Sequence, residues 1–115
     1  MTPEQAVERL NVVLAHLWMV RTFLKHAPEI EEDEVMLEVP RTLFDSIRAV
    51  EPARERGDLT EYLRRLKGKL PKIRRVAELL EREHKRVSDH TNFQMAATSL
   101  TGAVKQMEEI FAELK

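Results

Sequence analysis

Arg21 and His84 interrupt two otherwise apolar helical repeats, and His26, His90, Glu32 and Asp33 complete a set of groups able to act as acid, base or ligand. An imidazole changes protonation near neutral pH and binds metals, while a guanidinium recognises carboxylate or phosphate. The combination therefore fits a ligand-binding or catalytic role, or a His–carboxylate metal site. Glu81 and His84 also have the Glu-x-x-His spacing that puts both side chains on one helix face, as carboxylate-bridged dimetal bundles require. Such bundles use the pattern twice, and it occurs once here. A single site built from His84, His26 or His90 with Glu32 is the other metal arrangement the residues allow. No serine, threonine or lysine is placed with a base as an activated nucleophile. The absence of cysteine excludes a thiolate nucleophile, a disulfide framework and a Cys-based zinc site. No cofactor and no resident metal are expected.

Positioning these groups falls to helices. Leu59, Leu63, Leu66, Leu70, Ile73, Ala77, Leu80, His84 and Val87 recur at alternating steps of four and three, the period of a helix-bundle seam. A second such stripe runs Val7, Leu10, Leu14, Leu17, Arg21, Leu24, and a third runs Phe93, Ala97, Leu100, Val104, Met107, Phe111, Leu114. The first helix opens at Thr2-Pro3-Glu4-Gln5, a capping-box sequence with proline at the first helical position, and should end near Ala27. A second helix is expected from about Glu31 to Val50, with Met36, Val39, Leu43, Ile47 and Val50 facing the core and a kink or break near Glu38 caused by Pro40. Pro52 and Gly57 mark a connection. Asp58-Leu59-Thr60-Glu61 then offers another capping box for a third helix, bent near Gly68 and Pro71 but unbroken because its stripe keeps phase. Thr91-Asn92-Phe93-Gln94 starts a fourth after a tight turn at Ser88 to His90. With no strand alternation and no internal repeat, the expected fold is all-α: one domain over residues 1–115, an up-down-up-down four-helix bundle with kinks near Pro40 and Pro71.

In that topology the first and third helices run parallel, so Arg21 and His84 fall at nearly the same level, close to the acidic run Glu29, Glu31, Glu32, Asp33 and Glu34. A guanidinium directed into an apolar seam needs a partner, and Glu32 or Asp33 can supply the carboxylate. The plain reading is a polar layer that fixes helix register; the functional one is a ligand or catalytic site. Arg21-Thr22-Phe23-Leu24-Lys25-His26 resembles the Arg-x4-His motif of HEPN-type ribonucleases, themselves small helical bundles that commonly dimerise. The resemblance covers these residues only and sits in the first helix, where that family carries its motif late. It implies RNA cleavage using the polar end around Arg21, His26, Glu32 and His84.

The first helix is also apolar beyond its seam. Val12, Val13, Met19, Val20 and Phe23 widen it, His16 falls among them and Trp18 lies off the seam, whereas a bundle helix needs an apolar face of only about 100°. The excess predicts a homodimer with Val12, His16, Met19 and Phe23 at or near its interface. In the fourth helix Ala96, Ala97, Ser99, Gly102 and Ala103 allow close packing.

Composition narrows the partners. Charged residues make up 34% of the chain, but 19 basic against 20 acidic side chains leave a net charge of −1, so no global field favours nucleic acid or anionic membrane. The basic run Arg64, Arg65, Lys67, Lys69, Lys72, Arg74 and Arg75 is read as a solvated or salt-bridged face, with Glu108, Glu109 and Glu113 expected beside it and no aromatic residues interleaved. Arg82, Lys85 and Arg86 are expected across from the acidic entry to the second helix. The polar opening lacks a signal-peptide pattern, and Leu17 to Val20 falls far short of the about 20 apolar residues a membrane span requires, so a cytoplasmic location is expected. The leading functional reading is a protein-interaction or accessory module without chemistry of its own. The alternative is a ligand-binding, metal-binding or enzymatic bundle working through the polar end.

Overall fold

Thr2 and Gln5 start the first helix as a reciprocal pair. In the computed structural model, which describes residues 1–114, the Gln5 N–H donates to Thr2 Oγ1 at 3.1 Å and the Thr2 N–H donates to Gln5 Oε1 at 3.0 Å. Both donors would otherwise be among those a helix start leaves unpaired. The helix so fixed, α1, spans Pro3–Lys25; α2 is a short turn of helix at Pro28–Glu31, followed by α3 at Glu38–Glu55, α4 at Leu59–Val87 and α5 at Thr91–Glu113. The described residues are all-α, with no strand. None of these helices is long and apolar enough to cross a membrane.

The second segment breaks near Glu38, where the sequence expectation has it, but the residues before the break do not continue one helix. A helix expected from Glu31 to Val50 is replaced by α2, a turn, and α3 beginning at Glu38. Pro40 explains the position of the break: as the third residue of α3 its missing N–H is one that no helix start can satisfy internally, so the proline opens a helix where it would have crowded the inside of one. Asp33 holds the intervening turn, its Oδ1 accepting from the Val35 and Met36 N–H groups at 3.1 Å each. The side chains expected to face the core, Met36, Val39, Leu43, Ile47 and Val50, are all buried.

α3 also runs past Pro52, which the sequence reading placed in a connection. Pro52 is on the exposed face of the last turns, where one lost backbone bond faces water, while Val50 and Ala53 beside it are buried. The helix stops one turn later. The Gly57 N–H donates to the Arg54 carbonyl at 3.1 Å and the Asp58 N–H to the Ala53 carbonyl at 2.9 Å, with Gly57 at φ 71°. This paired arrangement closes a helix with a left-handed residue that only glycine adopts without cost. Asp58 immediately opens α4, its Oδ1 accepting from the Glu61 N–H at 3.1 Å. Only half of the expected capping box forms here: the Asp58 N–H is already given to Ala53, and Glu61 turns to Arg64 and Arg65. At the start of α5 the cap is His90, one residue earlier than Thr91, with its Nδ1 accepting from the Asn92 N–H at 3.0 Å.

α4 has 29 residues, about 43 Å at the usual helical rise, and so spans the 41 Å long dimension of the molecule. It packs against α3 and α5, and α1 packs against the same two from the other side. The cross-links give the directions. Arg74 meets Glu108 at 2.7 Å and the Thr101 hydroxyl donates to Glu81 at 2.8 Å, so α4 and α5 are antiparallel. Arg75 pairs with Glu38 and Arg86 with Asp33 at 2.9 Å, which ties α4 to α3 and to the turn before it. Trp18 lies against Phe44 at 5.9 Å and Phe23 meets Phe93 edge-on at 5.1 Å, fastening α1 to α3 and to α5. Leu10, Leu17, Leu43, Leu66, Ile73, Leu80, Leu100 and Met107 are wholly buried between them.

The glycines make this construction testable. A Cβ at Gly68 or Gly102 would meet nothing within 4 Å, and both residues are helical, so alanine at either position should stabilise the fold by up to about 1 kcal/mol. Gly57→Ala should instead cost about 1–2 kcal/mol, because its φ of 71° excludes a side chain sterically. Urea unfolding midpoints at unchanged slope measure all three.

Candidate functional site

Arg21 is half-buried, but its partners are aromatic. The guanidinium carbon lies 4.5 Å from the centre of the Trp18 ring and 4.8 Å from that of Phe44, in the seam between α1 and α3. A cation held between ring faces is stabilised by their negative quadrupoles and stays partly hydrated, so a carboxylate partner is not required. No acidic group among the described residues lies within ion-pair distance of Arg21, although Asp45 lines the same shallow groove. Asp33 is taken by Arg86 of α4, and Glu32 is exposed at the end of α2.

His84 is 8% exposed and belongs to another groove, between α4 and α5, lined also by Glu81, Lys85, Gln94 and Thr101. Arg21 and His84 therefore face different neighbours, and the structure does not bring them into one polar layer. Glu81, three residues before His84, receives the Thr101 hydroxyl. His26 is exposed and turned back on its own helix, its Nδ1–H donating to the Thr22 carbonyl at 2.9 Å, while His90 is engaged as the cap of α5. Of the Arg-x4-His motif, Arg21 lies against Trp18 and Phe44, and His26, the residue that caps α1, is bonded to the Thr22 carbonyl. Among the described residues no three His, Asp or Glu side chains form a group able to hold a metal ion.

The outward residues of α1 do share one surface. Val12 is 58% and Met19 65% exposed, His16 lies between them, and Phe23 is half-buried against Phe93. α5 adds a residue that the sequence reading did not single out, Met95, 55% exposed in the same groove.

On the opposite side of α1, Asn11, Leu14 and Trp18 face Ile47, Val50 and Arg54 of α3 across a cleft of about 500 Å³ whose lining also includes Tyr62 of α4. Tyr62 is fully buried, and burial pushes its phenol up to about 12. Its hydroxyl has no hydrogen-bond partner among the described residues. The sequence signal for Tyr62 was its i, i+4 relation to Leu66, masked by the neighbouring leucines at 59 and 63.

The strongest electrostatic tie near the expected polar end is Arg86 with Asp33. The hydrogen bond from Arg86, helped by the Met36 N–H, holds the Asp33 carboxyl below the usual carboxylate range. At the far end of α4, Arg64 similarly draws Glu61 down to about 2. A carboxyl with a folded pKa below its unfolded one contributes stability that is fully present above the unfolded value, about 4, and lost as pH falls through the folded value. The stability gap between wild type and Asp33→Asn should thus be widest at neutral pH and close below about pH 4. Denaturant titrations across that range measure it, and a gap independent of pH would remove the ion pair as its cause. Compared with known proteins, this chain matches no protein family, no curated protein and no solved structure.

Proposed function

We propose that this chain is a helical-bundle interaction module that pairs with a second copy of itself through the α1–α5 face. In this reading the four long helices form an up-down-up-down bundle, α4 is bent near Pro71, and α2 with the Asp33 turn closes one end. The antiparallel cross-links of α4 to α5 and of α3 to α4 support it.

The observation that carries the interaction reading is charge depletion. The groove holding His16, Met19, Phe23, Asn92 and Met95 is lined by no Asp, Glu, Lys or Arg, in a chain of which 34% is charged. Cores of protein interfaces are depleted of charge in the same way and enriched in methionine and aromatic residues. Farther along the same seam, past Val12, Arg9 stands with Glu109 and Glu113. All formal charge lining these two grooves is therefore at one end. A two-fold pairing with the helices of the two copies opposed sets each charged end over the partner's uncharged one, so no like charges meet. This favours a second copy over a partner of opposite charge.

Sedimentation and native mass spectrometry test the reading directly. Wild type should be dimeric at micromolar concentration, and Met19→Glu combined with Met95→Glu should give monomers with unchanged helical content, since both side chains are exposed in the single chain. A monomeric wild type at that concentration rejects it.

A further inference from the structure

The cleft between α1 and α3 has features that packing alone does not call for. At about 500 Å³ it falls in the size range of small-molecule sites. Its walls are apolar, with Leu14 and Trp18 on one side and Ile47 and Val50 on the other. Tyr62 adds a buried hydroxyl without a protein partner, and folded proteins satisfy nearly all such groups. Like any phenol Tyr62 keeps its proton at neutral pH, and burial only strengthens this; the hydroxyl lies just beneath the cleft surface, where a ligand head reaches it by parting the lining side chains. Arg54 of α3 lines the same cleft, lies close enough for its charge to act on the phenol, and is in no ion pair among the described residues.

Together these define what would fit. A hydrogen-bond donor beside a guanidinium calls for an anionic acceptor, and the apolar walls call for a hydrocarbon body attached to it. Glu51 and Glu55 also line the cleft and balance Arg48 and Arg54, which disfavours a multiply charged phosphate ligand, so a single negative charge held locally by Arg54 and Tyr62 is the most the cleft can take. We propose that the α1–α3 cleft binds an amphiphilic monocarboxylate, its head held by the Tyr62 hydroxyl and Arg54 and its apolar body laid along Trp18, Leu14, Ile47 and Val50. The site opens on the other flank of α1 from the charge-free α1–α5 groove, and the two adjoin at Met19, which lines both.

Trp18 is the only tryptophan of the chain and lies in the cleft wall, so its fluorescence reports on the site without a label. Decanoate, titrated below its micellar concentration and followed by Trp18 emission and by calorimetry, should saturate one site per chain. Decanol, which keeps the tail and an acceptor but lacks the charge, should bind more weakly, and decylamine should not compete. Tyr62→Phe should weaken decanoate about tenfold while leaving the fold at least as stable, because it removes a buried hydroxyl that has no protein partner. Arg54→Gln alters an exposed residue and should weaken decanoate similarly without affecting decanol. Absence of saturable decanoate binding overturns the proposal. Equal affinity in wild type, Tyr62→Phe and Arg54→Gln overturns it too, as does decylamine competing as well as decanoate, since each means that the acceptor-binding pair does not act.

Discussion

Every long helix of this protein has to remove one apolar stripe from water, and the polar groups go where that requirement leaves them. Leu10, Leu17, Leu43, Leu66, Ile73, Leu80, Leu100 and Met107 lose all contact with solvent. Each such side chain contributes about 1.5–3 kcal/mol relative to an exposed one. No single hydrogen bond or surface ion pair competes with that sum, and the pairs between α4 and its neighbours act mainly to select register. Arg86 with Asp33 and Arg74 with Glu108 are formed because burial of the seams has already set the helices side by side.

The same constraint explains what the sequence disclosed. The stripes of α1, α4 and α5 were legible because three- and four-residue steps report directly on one face of a helix, and the residues on them are buried apart from Arg21 and a few half-buried members at the helix ends. The region from Pro28 to Glu55 was divided less well. From the sequence alone proline reads there as a breaker, whereas Pro28 and Pro40 sit in the first turns of α2 and α3 and Pro52 lies on an exposed face of α3. Whether a proline breaks a helix depends on which donor it removes, and that becomes visible only when the helix start is known.

The polar candidates show a second limit. Counting residues gives the height of Arg21 and His84 along the bundle, but a site also depends on the angle each presents around its helix and on the neighbour waiting there. Arg21 meets Trp18 and Phe44, and His84 looks into the seam with α5. A partly buried arginine need not imply an acid, because two aromatic faces serve. Tyr62 was hidden for a related reason: the leucine stripe beside it accounts for the periodicity of α4 so fully that an aromatic residue one step off it reads as spare.

The short joints between helices have a consequence for how the chain reaches this state. At the α3–α4 corner Asp58 serves both helices, its backbone N–H closing one and its carboxylate opening the next, and at the α4–α5 corner Ser88 to His90 are the whole connection. These contacts join segments adjacent in the chain and can be made early, with little loop to close. The pairing of α1 with α5 brings together opposite ends of the sequence and carries the largest closure entropy. Assembly should therefore proceed outward from the two hairpin corners of α4, with the seam between Phe23 and Phe93 zipped last.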